Sequence, residues 1–167
     1  MTALPTKTSR WKPIVIAAAA ALFVATLGAL MTDLGPWYAN LRQPAWKPPD
    51  AVFGPVWTTL FALAAAAGVI GWRHAPTRAG REAMLLLFAI NGFLNVFWSL
   101  LYFRLHRPDW SLFEVPLLWL SVLALILFLR RWTSLAAWLL VPYLAWVATA
   151  ALLNWETVRL NGPFGAG

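Results

Sequence analysis

The stretch Trp37–Thr58, WYANLRQPAWKPPDAVFGPVWT, decides how the rest of the chain is read. It carries Pro44, Pro48, Pro49 and Pro55. Each proline removes a backbone donor and pushes the residue before it toward extended geometry. The spacing therefore predicts a stiff, partly polyproline-like loop up to about Asp50, with a helix starting only beyond it. Trp37, Trp46 and Trp57 lie in the stretch and Trp72 just past it, four of the chain's 12 Trp. Rigid aromatics on a low-entropy backbone offer a surface for a flat apolar ligand, with Arg42 and Lys47 at hand for acidic groups. Trp37 and Tyr38 also suit an aromatic belt at the depth of the lipid headgroups.

Outward from this loop the chain is apolar. Of its 167 residues 61% are hydrophobic and only 11% charged, with a mean hydropathy of +0.67. A soluble domain averages about 25% charged residues, so the composition is that of a membrane protein. Five apolar stretches approach or exceed the ~20 residues a bilayer crossing needs: Ile14–Met31, Ala51–Trp72, Ala83–Phe103, Ser111–Leu129 and Leu135–Val158. The fold class is an all-α membrane protein, a bundle of five transmembrane helices. The expected organisation is a polar tail over 1–13, one membrane domain over 14–161 and a short tail over 162–167. The first stretch is longer than the 7–15 apolar residues of a signal peptide, so it is read as a true span.

Net charge is +7, but the 13 Lys and Arg lie almost wholly between the spans. That pattern signals topology and headgroup contact and excludes a nucleic-acid footprint. Lys7, Arg10, Lys12, Arg73, Arg78, Arg81, Arg130 and Arg131 fall on one side; Arg42, Lys47, Arg104, Arg107 and Arg159 fall on the other. Eight against five predicts a cytoplasmic N-terminus, with the Trp/Pro loop on the opposite face. The absence of Cys excludes disulfides and thiolate chemistry.

Within the spans, Asp50 is a candidate N-cap, and Gly54–Pro55 predicts a kink that tilts Trp57 inward. Ala64 with Gly68, and Ala67 with Gly71, form one-turn small pairs that permit close helix approach. Asn91, Asn95 and Ser99 recur every four residues as one polar stripe, with Trp98 and Tyr102 beside it. The stripe suits either glue between helices or polar groups for a ligand. Glu114 is expected at headgroup level and solvated. Pro142 is expected to bend the last span, where Trp146, Thr149 and Leu153 share a face. His74 and His106 sit in different loops, so no shared metal site is expected. Mid-span positions carry no ionisable residue, which weighs against proton-coupled transport. No nucleophile–base pair, paired carboxylates or phosphate loop appears.

The motifs W-Y-x-x-L-x-x-P-x-W-x-P-P from Trp37, V-F-G-P-V-W from Val52, L-N-x-x-W-S from Leu94 and P-Y-L-A-W from Pro142 resemble the TspO/translocator-protein family, the tryptophan-rich sensory proteins related to the peripheral benzodiazepine receptor. The resemblance covers about Thr26 to Asn161. It implies a five-helix bundle, commonly a homodimer in lipid, that binds protoporphyrin IX or haem as a ligand with no obligatory cofactor and no metal site. It also implies sterol and isoquinoline carboxamide ligands. Carried over by motif position, the ligand-binding residues would be Tyr38, Trp46, Pro48, Trp57, Phe61, Asn95, Trp110, Trp146 and Ala150. Arg42 and Lys47 would meet the propionates. Trp57 and Trp146 match the pair assigned to light-driven porphyrin degradation, so the resemblance implies a protein that senses, buffers or photo-oxidatively disposes of porphyrin. The alternatives are a transporter of porphyrin or other lipophiles and a structural membrane protein without a ligand. Three positions depart from the family pattern. Trp155 replaces a Tyr of the sterol motif in animal relatives, although Leu100–Arg104 matches that motif loosely. Gln43 replaces a common basic residue. Ser99-Leu100 replaces a Pro-Pro pair, predicting a straighter third span.

Overall fold

Long apolar runs in lipid can satisfy their backbone only as helices, and each of the five predicted runs is one. In the computed structural model, which describes residues 11–164, the elements are α1 (Lys12–Met31), α2 (Pro36–Ala39), α3 (Asp50–His74), α4 (Arg78–Ser99), α5 (Pro108–Arg130) and α6 (Ser134–Asn161). A π-helical turn, Leu100–Arg104, extends α4. All but α2 are long and apolar enough to cross a membrane. The first span begins at Lys12, so the described part of the expected N-terminal tail already turns into helix; the rest of that tail, with Lys7 and Arg10, lies outside the described residues. The C-terminal tail is described only as far as Phe164.

An alanine run from Ala17 favours helix in α1, and Pro13 sits in its first turn, where its missing N–H is not needed. The helix ends where Thr32 turns extended and its hydroxyl donates to the Gly28 carbonyl at 2.8 Å. No residue of α1 is buried. A helix that is apolar all round and shows no buried face is stable only with lipid around it. The same holds for outward side chains elsewhere, such as Phe113 at 82% exposure.

The spans close a ring in the order α1–α3–α6–α5–α4 and back to α1. Its core is set by two stripes at alternating three- and four-residue spacing, the seam of helices crossing at a shallow angle. Val115, Leu118, Val122, Leu125 and Leu129 of α5 meet Ala136, Leu140, Tyr143 and Val147 of α6. Where α3 approaches α4 and α5, Gly71 lies against both. A Cβ there would lie 2.5 Å from Leu129 Cδ2 and 2.9 Å from Met84 Sδ, both on fully buried side chains. Gly71→Val should therefore destabilise by about 1–3 kcal/mol through overpacking, read as a lower thermal midpoint in detergent. Gly68→Ala, whose Cβ would sit 3.6 Å from Phe88, should leave the midpoint nearly unchanged; equal losses at the two glycines would contradict this packing.

Three local expectations are corrected. Asp50 does not cap α3: the N-cap is Pro49, and the Asp50 carboxylate is taken up by Tyr38 and Lys47 from the loop. Beyond Asp50 the helix is unbroken across Gly54 and Pro55, where the expected kink falls, with Thr58 and Thr59 hydroxyls bonding back to the Gly54 and Pro55 carbonyls at 2.9 Å. The third span does not end straight after Ser99-Leu100. Leu105 N–H reaches the Leu100 carbonyl at 3.0 Å, closing a wide turn that turns Leu101 and Tyr102 into the core. Such wide turns are single-turn insertions that re-aim side chains. The Trp/Pro segment is not extended throughout, since Pro36 starts the one-turn helix α2 and only residues 40–49 are irregular.

Candidate functional site

Residues 32–49 form a lid over one end of the ring, and each tie is a specific pair. Trp37 stacks on His106 at 4.2 Å and 14° and meets Tyr102 edge-on at 6.3 Å. Arg42 N–H donates to Asn161 Oδ1 at 2.7 Å, and Asn161 Nδ2 returns a bond to the Arg42 carbonyl at 2.9 Å, closing the lid on the end of α6. Arg104 Nη2 donates to the Leu30 carbonyl at 2.9 Å, holding the end of α1. Tyr38 donates to Asp50 at 2.8 Å, and Lys47 pairs with the same carboxylate while lying 5.4 Å over the Tyr38 ring. Burial, then the bond to Asp50, pushes the Tyr38 phenol well above its ordinary value, so it stays a donor.

Beneath the lid the aromatic side chains join. Phe53 packs edge-on against Trp146 at 5.6 Å. Trp57 stacks on Phe61 at 5.4 Å, and both lean edge-on against Tyr143, at 6.0 and 6.4 Å. Pro55 and Trp57 lie early in α3, so that helix brings this wall directly under the loop.

The polar stripe of α4 faces the same core. Asn95 Nδ2 donates to the Tyr143 hydroxyl at 3.1 Å, and that hydroxyl donates to Asn91 Oδ1 at 3.2 Å. Asn91 Nδ2 continues to Ser121 Oγ at 2.8 Å. One phenol thus ties α6 to α4, and Asn91 ties α4 to α5. In contrast, the Trp146 indole N–H is buried and has no acceptor. A buried donor left unsatisfied costs about 1–3 kcal/mol, so a group of this kind marks a place for a partner.

The structure brings Tyr38, Trp57, Phe61, Asn95 and Trp146 to this lidded end, with Lys47 above them. Pro48 and Ala150 are partly buried. Trp46 and Trp110 stand apart, each about half exposed. Trp110 carries the Arg107 guanidinium 4.1 Å over its ring, and Arg107 itself pairs with Asp109. Arg42 is exposed and engages the lid through its backbone. Lys47 already has a carboxylate partner, so an incoming acid competes with Asp50 for it.

Sequence reasoning left three features out. Tyr143 lies one turn before Trp146 in the P-Y-L-A-W motif and is 1% exposed; its spacing from Trp146 was a usable signal. Glu114 was expected in solvent and is instead buried, with neither carboxylate oxygen paired. The reason is register: Ser111, Glu114, Val115 and Leu118 share the inward face of α5. The third is a cavity of about 920 Å³ between α1, α3 and α4, running toward the end opposite the lid. Phe61 and Asn91 form its boundary with the aromatic wall, and Lys12, Arg73 and Arg81 lie at its far end. No group of three His, Cys, Asp or Glu able to hold a metal occurs among the described residues.

The aromatic rings and the unpaired Trp146 N–H gather under the lid at one end of the bundle, and comparison with known proteins places the chain in a lineage. The model of the TspO/MBR family matches residues 15–160. The tryptophan-rich protein TspO of Chlorobaculum tepidum is 39% identical over 130 residues, covering 75% of this chain and 79% of that one. A tryptophan-rich sensory protein of Cereibacter sphaeroides is 36% identical over 137 residues, covering 82% and 84%. The human translocator protein is 32% identical over 132 residues, covering 78% of each. With a family match that spans all five membrane helices and the lid they share, the chain belongs to the TspO/MBR family.

Proposed function

We propose that this protein binds a tetrapyrrole, protoporphyrin IX or haem, in the membrane beneath the lid, and senses, buffers or photo-oxidatively disposes of it. The observation that carries the reading is the buried, unpartnered Trp146 indole N–H set among the aromatic rings of α3 and α6. A porphyrin is a planar disc with apolar faces, ring nitrogens and an acidic edge. Its faces stack on the Trp57–Phe61 wall, where each aromatic pair adds about 0.5–1.5 kcal/mol beyond the buried area. Asn95 and the Trp146 N–H meet its polar atoms, and Lys47 exchanges Asp50 for a propionate at the rim. Two copies of the chain, joined as a homodimer, would carry one such site each. The lid would face away from the cytoplasm, following the distribution of Lys and Arg.

The test is a dark titration of the purified protein in detergent with protoporphyrin IX, following Trp emission. Saturable quenching is expected, weakened about three- to tenfold by Trp146→Phe, which removes the N–H donor, or by Tyr38→Ala, which removes a ring and its tie to Asp50, each worth about one hydrogen bond or aromatic contact. Quenching that never saturates, or that ignores both substitutions, would mean the porphyrin merely partitions into the micelle.

A further inference from the structure

The 920 Å³ cavity between α1, α3 and α4 is not explained by the lidded site. Its walls are small and apolar: Ala17, Ala20 and Ala21 from α1 face Ala64, Ala65 and Gly68 from α3. Ile16, Ala20 and Leu85, exposed residues of its lining, set it at the outer face of the ring, open to surrounding lipid. Along α1 it runs from Lys12 to Val24, about 18 Å at 1.5 Å per residue. One leaflet of hydrocarbon is about 15 Å deep, half of a ~30 Å core.

Charge is confined to one end. Lys12, Arg73 and Arg81 line the cavity there and no Asp or Glu does. Arg81 lies with its guanidinium 5.1 Å over the Trp72 ring, and its Nε is buried without a partner. The nearby Glu82 is engaged outside the cavity with Arg78 at 2.8 Å. A cavity one leaflet deep, apolar along its length as far as Asn91 and basic at its mouth matches a molecule with one anionic head and an acyl tail. Basic pockets between transmembrane helices are recognised as headgroup sites on the same physical grounds.

We propose that this cavity binds an anionic phospholipid, one acyl chain lying along α1 between Ala17 and Gly68 and its phosphate resting on Lys12 and Arg81. The site stands at the opposite end of the ring from the lid and does not depend on the tetrapyrrole reading. It makes the lipid of one leaflet a structural ligand that fills the gap between α1 and α4.

The experiment is native mass spectrometry of the full chain released from detergent, titrated with dioleoylphosphatidylglycerol or dioleoylphosphatidylcholine. One saturable phosphatidylglycerol per chain is expected, preferred over phosphatidylcholine. Lys12→Gln with Arg81→Gln should weaken it about 25-fold, at about fivefold for each charge removed. Gly68→Leu, which puts an isobutyl group into the acyl path, should weaken it at least about fivefold, whereas Gly68→Ala should not. Arg130→Gln with Arg131→Gln, at the same end but off the cavity, should leave it unchanged. Equal retention of both lipids by the unmodified chain, equal loss in the Arg130/Arg131 variant, or full binding in Gly68→Leu would overturn the proposal. So would displacement by inorganic phosphate, which would mean an anion site without a chain, or by one equivalent of protoporphyrin IX, which would give the cavity to the tetrapyrrole.

Discussion

Tyr143→Ala should cost about 3–5 kcal/mol, the range for removing a large buried aromatic side chain, and should be the most destabilising single truncation in the bundle. Tyr143 is 1% exposed and touches Trp57 and Phe61 through its ring and Asn91 and Asn95 through its hydroxyl. When it goes, the Asn95 amide loses its side-chain partner and Asn91 keeps only Ser121. Tyr143→Phe separates the two contributions: the ring stays and only the hydroxyl is lost. Hydrogen bonds between membrane helices average about 0.6 kcal/mol and reach about 1.7, less than in a dry soluble core, because the unfolded chain in lipid also finds partners. The phenylalanine variant should therefore lose about 1 kcal/mol. Thermal unfolding in detergent, followed by near-ultraviolet circular dichroism, measures both. Packing dominates if the alanine variant loses several times what the phenylalanine variant does; equal losses would mean that the amide cluster, not the ring, holds α6 to α4.

The second large effect concerns light. In the double variant Trp57→Phe/Trp146→Phe, light-driven loss of bound protoporphyrin IX should slow at least ~10-fold, equivalent to raising a barrier by about 1.4 kcal/mol or more. Dark binding should fall less, because Phe keeps most of the stacking face. The proposed reason is electron supply. An excited porphyrin takes one electron from a neighbouring indole, leaving an indole radical cation, and dissolved oxygen takes that electron from the porphyrin as superoxide. Superoxide adds to the macrocycle and the adduct returns one electron to the indole, so that the net change is addition of O2 to the porphyrin with the indole restored. Indole donates far more readily than a benzene ring. Trp57 lies 6.0 Å from Tyr143 and Trp146 lies 5.6 Å from Phe53, so both indoles border the wall against which the disc is proposed to stack. Bleaching at the same rate in variant and parent, at matched porphyrin occupancy, would remove these residues from the chemistry and leave binding as the function.

The membrane fold was legible because lipid leaves the backbone few choices. A run of about 20 apolar residues between charged or Pro-rich connections has one stable conformation in hydrocarbon, so five runs meant five helices. The buried polar stripe was legible for a similar reason. Asn91, Asn95 and Ser99 at four-residue spacing must share one face, and three polar groups on one face of a membrane helix turn inward. The Trp/Pro loop announced itself because each proline constrains its own neighbours, a local effect that needs no partner.

What the chain did not disclose locally were matters of register and partnership. Whether Asp50 caps α3 or receives Tyr38 and Lys47 depends on where residues 38 and 47 come to rest, across up to 12 positions of chain. Glu114 is near enough to the start of α5 to reach water, and only the packing of α5 between α4 and α6 turns it inward. Spacing alone could not say that Tyr143 would become the shared partner of both asparagines, since the pairs span 48 and 52 residues. The cavity was invisible for the same reason, since it is the space left between α1, α3 and α4, segments distant along the chain. By itself the sequence determined the five spans, their lipid setting and the aromatic loop, because those follow from the solvent and from neighbours along the chain. The order of the ring, the partners of each buried polar group and the empty volume between helices were decided by tertiary structure, because they depend on which side chains distant segments bring face to face.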